Sequence, residues 1–407
     1  MSLVTTFIAV VMFLWVSYNM PPVIVGFRRW NAIMKQHGKD DKADDSSDPP
    51  AVDPQPKVSI IVPVKNEAEV VDRLLRRLVS LSYGNKEIIL VEDGSADNSL
   101  QICTQWAEKC PSFVKCLHNE ESNGKPMAIS SAARKATGDI VAVYDADTIV
   151  ETDILERIIP HFNDPNVAAV QGELKTLNPD ENAITRLSVI NDFIVNLQQL
   201  GRDRLDLFIP LLGTNQYFRR SVLEKLEYWD PNALSEDTEI SVRLMRRGYK
   251  TSYVAVEAMV EAPAKLKVFL KQRMKWLRGY TQALAKHRGM LGNPNRHTLD
   301  ACLTLIFPLM LVLGLVGYAV ALYGVFQEPT NIPILQIIGI ALVISNLLIP
   351  TLLVTSNPRN AIYVPLIYLD WILLAAVSLY VHVLALFGKT QKWTRTPKTG
   401  HVTVPVS

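Results

Sequence analysis

Apolar residues are concentrated in four long stretches, one near the start of the chain and three near its end. The first runs from about Val4 to Val25, which is long enough to cross the roughly 30 Å hydrocarbon core of a bilayer. The others lie at about 301–326, 332–355 and 361–387. We therefore predict an N-terminal transmembrane anchor over 1–27 and three C-terminal membrane segments within 301–387.

The segment between these stretches alternates short apolar runs with amphipathic ones. The pattern predicts buried strands at Val58–Val62, Glu87–Val91 and Ile140–Tyr144, and a helix over Ala68–Leu81. Strand, helix and strand in this order are typical of a parallel sheet covered on both faces. We assign 57–264 to one α/β domain.

Two segments flank this domain. Residues 36–56 are charged and proline-containing with almost nothing to bury, so we predict a flexible linker. Residues 265–300 carry a basic, tryptophan-bearing amphipathic pattern, which is typical of helices lying among lipid head groups.

The charges beside the apolar stretches predict the topology. Arg28 and Arg29 follow the first stretch, which lacks a basic leader and a cleavage site, so it is expected to be a retained anchor with the α/β domain in the cytosol. The tail over 388–407 is also basic. Three crossings would place it outside, so we expect one stretch not to cross.

The last apolar stretch contains Asp370 and is the first candidate for such a bend. We expect a cytosolic tail with Trp393 near the head groups or the α/β domain.

Composition excludes some classes of protein. A net charge of +2 argues against a nucleic-acid partner. The four cysteines have no C-x-x-C spacing, which favours reduced thiols over a zinc site or a disulfide framework. The apolar excess, 48% of residues against 20% charged, instead points to membrane lipids as partners.

Polar turns follow the predicted strands. Pro63–Glu67 ends the first strand and Glu92–Asp97 ends the second, and ligands in α/β sheets bind where strands end. Asp93 is suited to accept hydrogen bonds from a base or ribose, although an Asp-Gly turn alone is usually only a turn.

Two carboxylates, Asp145 and Asp147, follow the third predicted strand as a D-x-D. Such a pair is a hard oxygen site for Mn²⁺ or Mg²⁺ that already carries phosphates.

Two further segments bear candidate chemistry. Ser235 is predicted to cap a helix whose first turn contains Asp237, a candidate general base. The segment Lys271–Tyr280 offers basic side chains to lipid phosphates or to a pyrophosphate.

With these elements in order, the chain resembles the family-2 glycosyltransferases of GT-A fold, in their membrane-integrated, cellulose-synthase-like branch. The resemblance runs from about Val58 to Gly279. It implies a GT-A catalytic domain, a Rossmann-like nucleotide-diphospho-sugar fold, combined with α-helical transmembrane segments. It also implies a UDP- or GDP-sugar donor.

The resemblance assigns roles to individual residues. It implies that Asp237, with Glu236, is catalytic, that Asp147 and Asp145 bind the metal, and that the acceptor meets Gly213, Thr214, Asn215 and Trp276. The implied donor-binding residues are Pro63, Lys65, Asn66, Glu67, Asp93, Lys125, Asp145, Gln272, Arg273, Lys275 and Trp276. Lys275 departs from the family's Q-x-x-R-W motif, in which arginine is usual.

The reaction that the resemblance implies is metal-dependent inverting transfer giving a β-linkage. Two acceptor classes stay open. One is a membrane lipid or lipid-linked glycan that receives a single hexose, which we favour, and the other is a growing polysaccharide. The transferred sugar stays open between mannose, glucose and N-acetylglucosamine. An inactive scaffold relative is the remote alternative.

Overall fold

The computed structural model describes residues 3–37, 55–292, 294–327, 351–352, 358–386 and 396–403. Its strands are β1 Val58–Val64, β2 Lys86–Asp93, β3 Val114–Asn119, β4 Ile140–Val143, β5 Ile149–Val150, β6 Val167–Thr176, β7 Gln216–Arg219 and β8 Lys250–Val260. The helices of the first half are α1 Leu3–His37, α2 Val71–Val79, α3 Ser99–Lys109, α4 Lys125–Lys135, α5 Ile154–Ile158 and α6 Ala183–Arg204. Those of the second half are α7 Arg220–Lys225, α8 Glu236–Arg246, α9 Leu266–Lys286, α10 Arg296–Leu305, α11 Phe307–Gln327 and α12 Val364–Leu386.

One sheet joins the eight strands in the order β3-β2-β1-β4-β7-β6-β8-β5. Strands β3, β2, β1 and β4 are parallel, as predicted. Strand β7 then runs antiparallel to both β4 and β6, so the prediction of a parallel sheet is wrong for this half. This reversal pairs Gln216 with Val143, so the residues just before β7 lie at the carboxyl end of β4.

Helices cover both faces of the sheet, as predicted. Alternate residues of β1 point to opposite sides, because successive side chains of a strand do so. Ile60 and Val62 pack in a core with α2 and α3, whereas Ile61 packs in a second core with α4 and α8. All three side chains are fully buried, which fixes the register of the strand.

The apolar ends of the chain form long helices. Val10–Lys35 and Ala361–Leu384 are each long and apolar enough to cross a membrane. Helices α10 and α11 together make a third candidate, bent by 55° at their junction. The expected bend in the last apolar stretch is therefore wrong for the described residues, since α12 is uninterrupted and the bend lies in the first C-terminal stretch. Most of the predicted linker and of the second stretch at 332–355 lies outside the described residues, and so does Trp393.

Helix α1 continues ten residues past the predicted anchor boundary at residue 27 and packs against α6 of the α/β domain. Two glycines allow this contact. A Cβ atom added at Gly26 would lie 1.8 Å from the Leu197 carbonyl oxygen, and one added at Gly201 would lie 1.7 Å from that of Pro22. The backbones therefore touch directly where the anchor meets the domain.

Replacing Gly201 by alanine is expected to lower the melting temperature of the detergent-solubilised protein, because the new methyl group must force α1 and α6 apart. Overpacking of this kind costs about 1–3 kcal/mol. Gly84→Ala is the matched control, since nothing lies within 4 Å of its added Cβ atom. Equal melting temperatures for the two variants would contradict the assigned contact.

Candidate active site

A cleft opens where β1, β2 and β4 end, and its enclosed volume is about 240 Å³. Its walls come from the turns after these strands, the starts of α4 and α8, and helix α9. The carboxyl ends of the strands thus define its floor, as the sequence pattern predicted.

Lys125 joins the walls of the cleft. Its ammonium donates to Asp145 Oδ1 at 2.7 Å, to Glu236 Oε1 at 2.9 Å and to the Gly213 carbonyl at 3.0 Å. Burial alone would lower the pKa of Lys125, but the two carboxylates outweigh it and raise that pKa. The lysine is therefore a permanent cation that ties three separate segments together.

Asp93 organises the loop that leads to Lys125. Its carboxylate accepts hydrogen bonds from the Ser122 hydroxyl at 2.6 Å and the Gly124 amide at 3.0 Å, with further bonds from residues 119 and 123. Burial alone would raise the pKa of Asp93, but these bonds to its charged form lower it. Gly124 has a φ of 83°, which favours glycine at the start of α4.

Asp237 stands in the first turn of α8, where the helix dipole favours a negative charge. Its Oδ1 accepts from the Ser235 hydroxyl and the Thr238 amide, both at 2.6 Å. Ser235 was predicted to cap the helix and does occupy the capping position, but its hydroxyl orients this carboxylate instead of bonding the backbone. Burial and the neighbouring Glu236 charge raise the pKa of Asp237.

Because Gly213 has no side chain, it leaves space for the Asp237 carboxylate. Its φ of 87° lies in the left-handed region, and an added Cβ atom would lie 3.0 Å from Asp237 Oδ2. The second carboxylate oxygen of Asp237 is thus directed at the segment that precedes β7.

The D-x-D carboxylates fit a divalent cation. Asp145 lies beside Lys125, and Asp147 Oδ2 already holds a cation, the ammonium of Lys398. Within the described residues, no group of three or more His, Cys, Asp or Glu side chains is placed to hold a metal unaided. A Mn²⁺ or Mg²⁺ ion here would complete its shell with phosphate oxygens and water, as these ions commonly do.

Helix α9, which contacts the apolar helices α11 and α12, forms another wall of the cleft. Arg273 is buried, with its guanidinium 4.5 Å from the centre of the Phe269 ring and 4.4 Å from that of Trp276. Its Nε has no hydrogen-bond partner among the described residues. Trp276 keeps 40% of its surface exposed at the mouth of the cleft. Gln272 and Lys275 also line the wall.

Residues 54–279, more than half of the chain, match the family model described as glycosyltransferase like family 2. The chain belongs to this family. The probable glycosyltransferase YdaM of Bacillus subtilis (strain 168) is 29% identical over 366 residues, which are 84% of this chain and 87% of that protein. Poly-β-1,6-N-acetyl-D-glucosamine synthase of Staphylococcus aureus (strain COL) is 27% identical over 237 residues, 58% of this chain and 57% of that protein.

A solved structure has the same fold. The mannosyltransferase PcManGT from Pyrobaculum calidifontis, in complex with GDP-Man and Mn²⁺, superposes with a TM-score of 0.64 at 20% identity, covering 94% of this chain and 100% of its own. The predicted GT-A fold of this glycosyltransferase is thereby confirmed.

Most of the predicted site residues of the glycosyltransferase line the cleft, and two do not. Asn66 instead accepts from the Ala96 amide at 2.7 Å and fastens the turn after β1 to the turn after β2. Asn215 is fully buried behind the wall and donates to the Glu173 and Val256 carbonyls at 3.0 Å. Neither side chain lines the cleft, in contrast to the predicted contacts of Asn66 with the donor and of Asn215 with the acceptor. Both instead hold neighbouring backbone segments in place.

Sequence reasoning did not assign three charged residues to the cleft: Asp192, Glu261 and Lys398. Burial raises the pKa of Asp192, on α6, to about 6. Glu261 follows β8, a strand end that the sequence pattern did not single out. Lys398 was noted only as a charge that predicts topology, because nothing near it in the sequence indicates a contact with Asp147.

Replacing Lys125 by methionine is expected to destabilise the glycosyltransferase by about 3 kcal/mol, since breaking a buried pair leaves uncompensated charge. Binding of UDP or GDP should weaken as well. The exposed Lys135 at the end of the same helix supplies the control, Lys135→Met. The deficit in melting temperature should shrink as the pH falls, because Lys125 lowers the pKa of Glu236 and protonation of that carboxylate removes the uncompensated charge. A deficit independent of pH would contradict this account.

Proposed function

We propose that the protein is an inverting, metal-dependent hexosyltransferase. It moves mannose, glucose or N-acetylglucosamine from a UDP- or GDP-sugar to a membrane lipid or lipid-linked glycan, forming a β-linkage. One observation carries the proposal. The Asp237 carboxylate, with its raised pKa, stands in the same cleft as the D-x-D, joined to it through the Lys125 contacts with Glu236 and Asp145.

The side chains have distinct roles in this proposal. Asp237 takes the proton of the acceptor hydroxyl, and Ser235 and the Thr238 amide hold it in position. Lys125 keeps Glu236 ionised beside it, which raises the proton affinity of Asp237. A divalent cation bound at Asp145 and Asp147 would neutralise the leaving diphosphate. The P. calidifontis protein, with GDP-Man and Mn²⁺ bound, motivates the choice of ligands.

The wall formed by α9 supports an acceptor that comes from the lipid. Trp276 is exposed at the mouth of the cleft, on a helix that also contacts the membrane candidates α11 and α12. An amphipathic ring at this level suits an acceptor with an apolar anchor and a polar head. We place the cleft in the cytosol, where Arg28 and Arg29 would lie by the positive-inside rule.

A second candidate is processive synthesis of a polysaccharide, and similarity to the S. aureus poly-N-acetylglucosamine synthase favours it. Thin-layer analysis of products made from labelled donor separates the two. A single added hexose supports the first function, whereas a ladder of lengths supports the second.

Asp237→Asn is expected to lower transfer by about 10²–10⁴-fold with unchanged nucleotide affinity, because the base acts only when the acceptor reacts. In the wild type, activity should fall as the pH drops through the raised pKa of Asp237, at a higher pH than an ordinary aspartate gives. Single-turnover rates between pH 4 and pH 8 check this, with Asp230→Asn as the control. A variant with a tenth of wild-type turnover would argue against a general base.

Asp147→Asn is expected to weaken Mn²⁺-dependent UDP or GDP binding by at least about tenfold, or roughly 1.4 kcal/mol. Asp145→Asn should cost less, because the family resemblance makes Asp147 the usual metal ligand. Isothermal titration with and without Mn²⁺ measures both. Equal wild-type binding in the two conditions would refute the metal site.

A further inference from the structure

The segment 396–403, here called the C-terminal strap, lies across the edge of the cleft and contributes Thr396 and Lys398 to its lining. It reaches the D-x-D from far away in sequence, since Lys398 and Asp147 are 251 positions apart. The strap therefore lies outside residues 54–279, the region that matches the family model.

The Glu261 carboxylate anchors the strap, mainly through backbone amides of the strap. Its Oε1 accepts from the Thr399 amide at 2.7 Å and hydroxyl at 2.9 Å, and its Oε2 accepts from the Gly400 amide at 2.9 Å. Arg73 donates to the Gly400 carbonyl at 3.1 Å from the opposite side. The φ of Gly400 is 74°, which favours glycine at this turn. These bonds hold the strap independently of the Lys398 side chain.

Lys398 connects the strap to the D-x-D. Its ammonium donates to Asp147 Oδ2 and, at 2.7 Å, to the Glu261 carbonyl, and only 13% of its side chain is exposed. The Glu261 amide donates to the same Asp147 oxygen at 3.2 Å. One oxygen of Asp147 therefore receives two donors, and among the described residues no hydrogen-bond donor contacts Oδ1, which leaves it for a ligand of the cleft.

We propose that Lys398 is a positioning residue of the donor site, which holds Asp147 Oδ2 so that Oδ1 faces the divalent cation. The inference rests on the proposed function. Partners of metal-binding carboxylates fix their orientation, and removing one typically costs about 10–100-fold in metal affinity. A carboxylate has lone pairs enough for both the ammonium and a cation, so binding of the ion does not require release of the strap.

The opposite reading makes Lys398 a competitor that blocks the cation. The two readings predict effects of opposite sign. If Lys398 positions Asp147, its loss weakens Mn²⁺-dependent nucleotide binding, whereas loss of a competitor strengthens it. The second bond of the Lys398 ammonium, to the Glu261 carbonyl at 2.7 Å, favours the first, because an ammonium displaced by the ion would lose that bond as well.

The test is titration of the full-length protein in detergent with UDP and with GDP, each with and without Mn²⁺. Lys398→Ala should weaken Mn²⁺-dependent binding by about 10–100-fold. Lys398→Arg should restore part of the loss, because it keeps a cationic donor. Lys225→Ala, which removes an exposed lysine at the end of α7, is the matched control and should bind like the wild type.

A second variant tests whether the loss of binding comes from the strap and not from misfolding of the protein. Glu261→Ala releases the strap, so it should reproduce the loss of Lys398→Ala, and the double variant should lose no more than either alone. Limited proteolysis should cleave the strap faster in Glu261→Ala, and melting temperatures should show that both variants are folded.

Each outcome has a distinct meaning. Unchanged or tighter Mn²⁺-dependent binding by Lys398→Ala overturns the inference and leaves the proposed function intact. Wild-type protein that binds neither nucleotide in a Mn²⁺-dependent way overturns the proposed function itself.

Discussion

The buried ammonium of Lys125 is the interaction on which the site depends. It sits between Asp145 and Glu236, which come from the end of a strand and the start of a helix, and it also holds the Gly213 carbonyl. Without a cation between them, the two carboxylates would repel each other. With it, Glu236 stays ionised and raises the pKa of its neighbour Asp237. One lysine thus fixes the geometry of the cleft and tunes its candidate base.

The mixed sheet makes that interaction possible. A fully parallel sheet needs a crossover between neighbouring strands, whereas an antiparallel neighbour can bring its beginning beside another strand's end. Because β7 runs against β4, the residues just before it reach the carboxyl end of β4. Thr214 then accepts from the Asp145 amide at 3.0 Å, and Gly213 meets both Lys125 and Asp237. The reversal that the strand pattern did not predict is therefore what closes the site.

The sequence predicted the fold class, and most of the candidate site residues that it singled out line one cleft. Carboxylates at strand ends and in the first turn of a helix converge for general reasons, so Asp93, Asp147 and Asp237 share one cleft. Local patterns do not show which partner a turn residue finds, and Asn66 and Asn215 bond to neighbouring backbone groups instead of lining the cleft. The contact of Lys398 with Asp147 could not be predicted for another reason. Its partner is set by the path of the whole chain, and a basic tail looks the same whether it binds lipid or a carboxylate.

The strap also constrains how the chain crosses the membrane. Since Lys398 and Gly400 contact the α/β domain, the strap and the domain must lie on the same side. For those apolar stretches between α9 and the strap that cross a membrane, this contact requires an even number of crossings, whereas the three predicted crossings would be odd. Within the described residues, α10 and α11 meet at a 55° bend, which is the geometry of a broken span or of a re-entrant segment. A buried pair joins this bent region to the domain, because Arg202 on α6 donates to both oxygens of Asp300 on α10, at 2.7 Å and 2.6 Å. The bent pair is thus fastened to the catalytic domain at its first helix, which favours it over the uninterrupted α12 as the stretch that turns back.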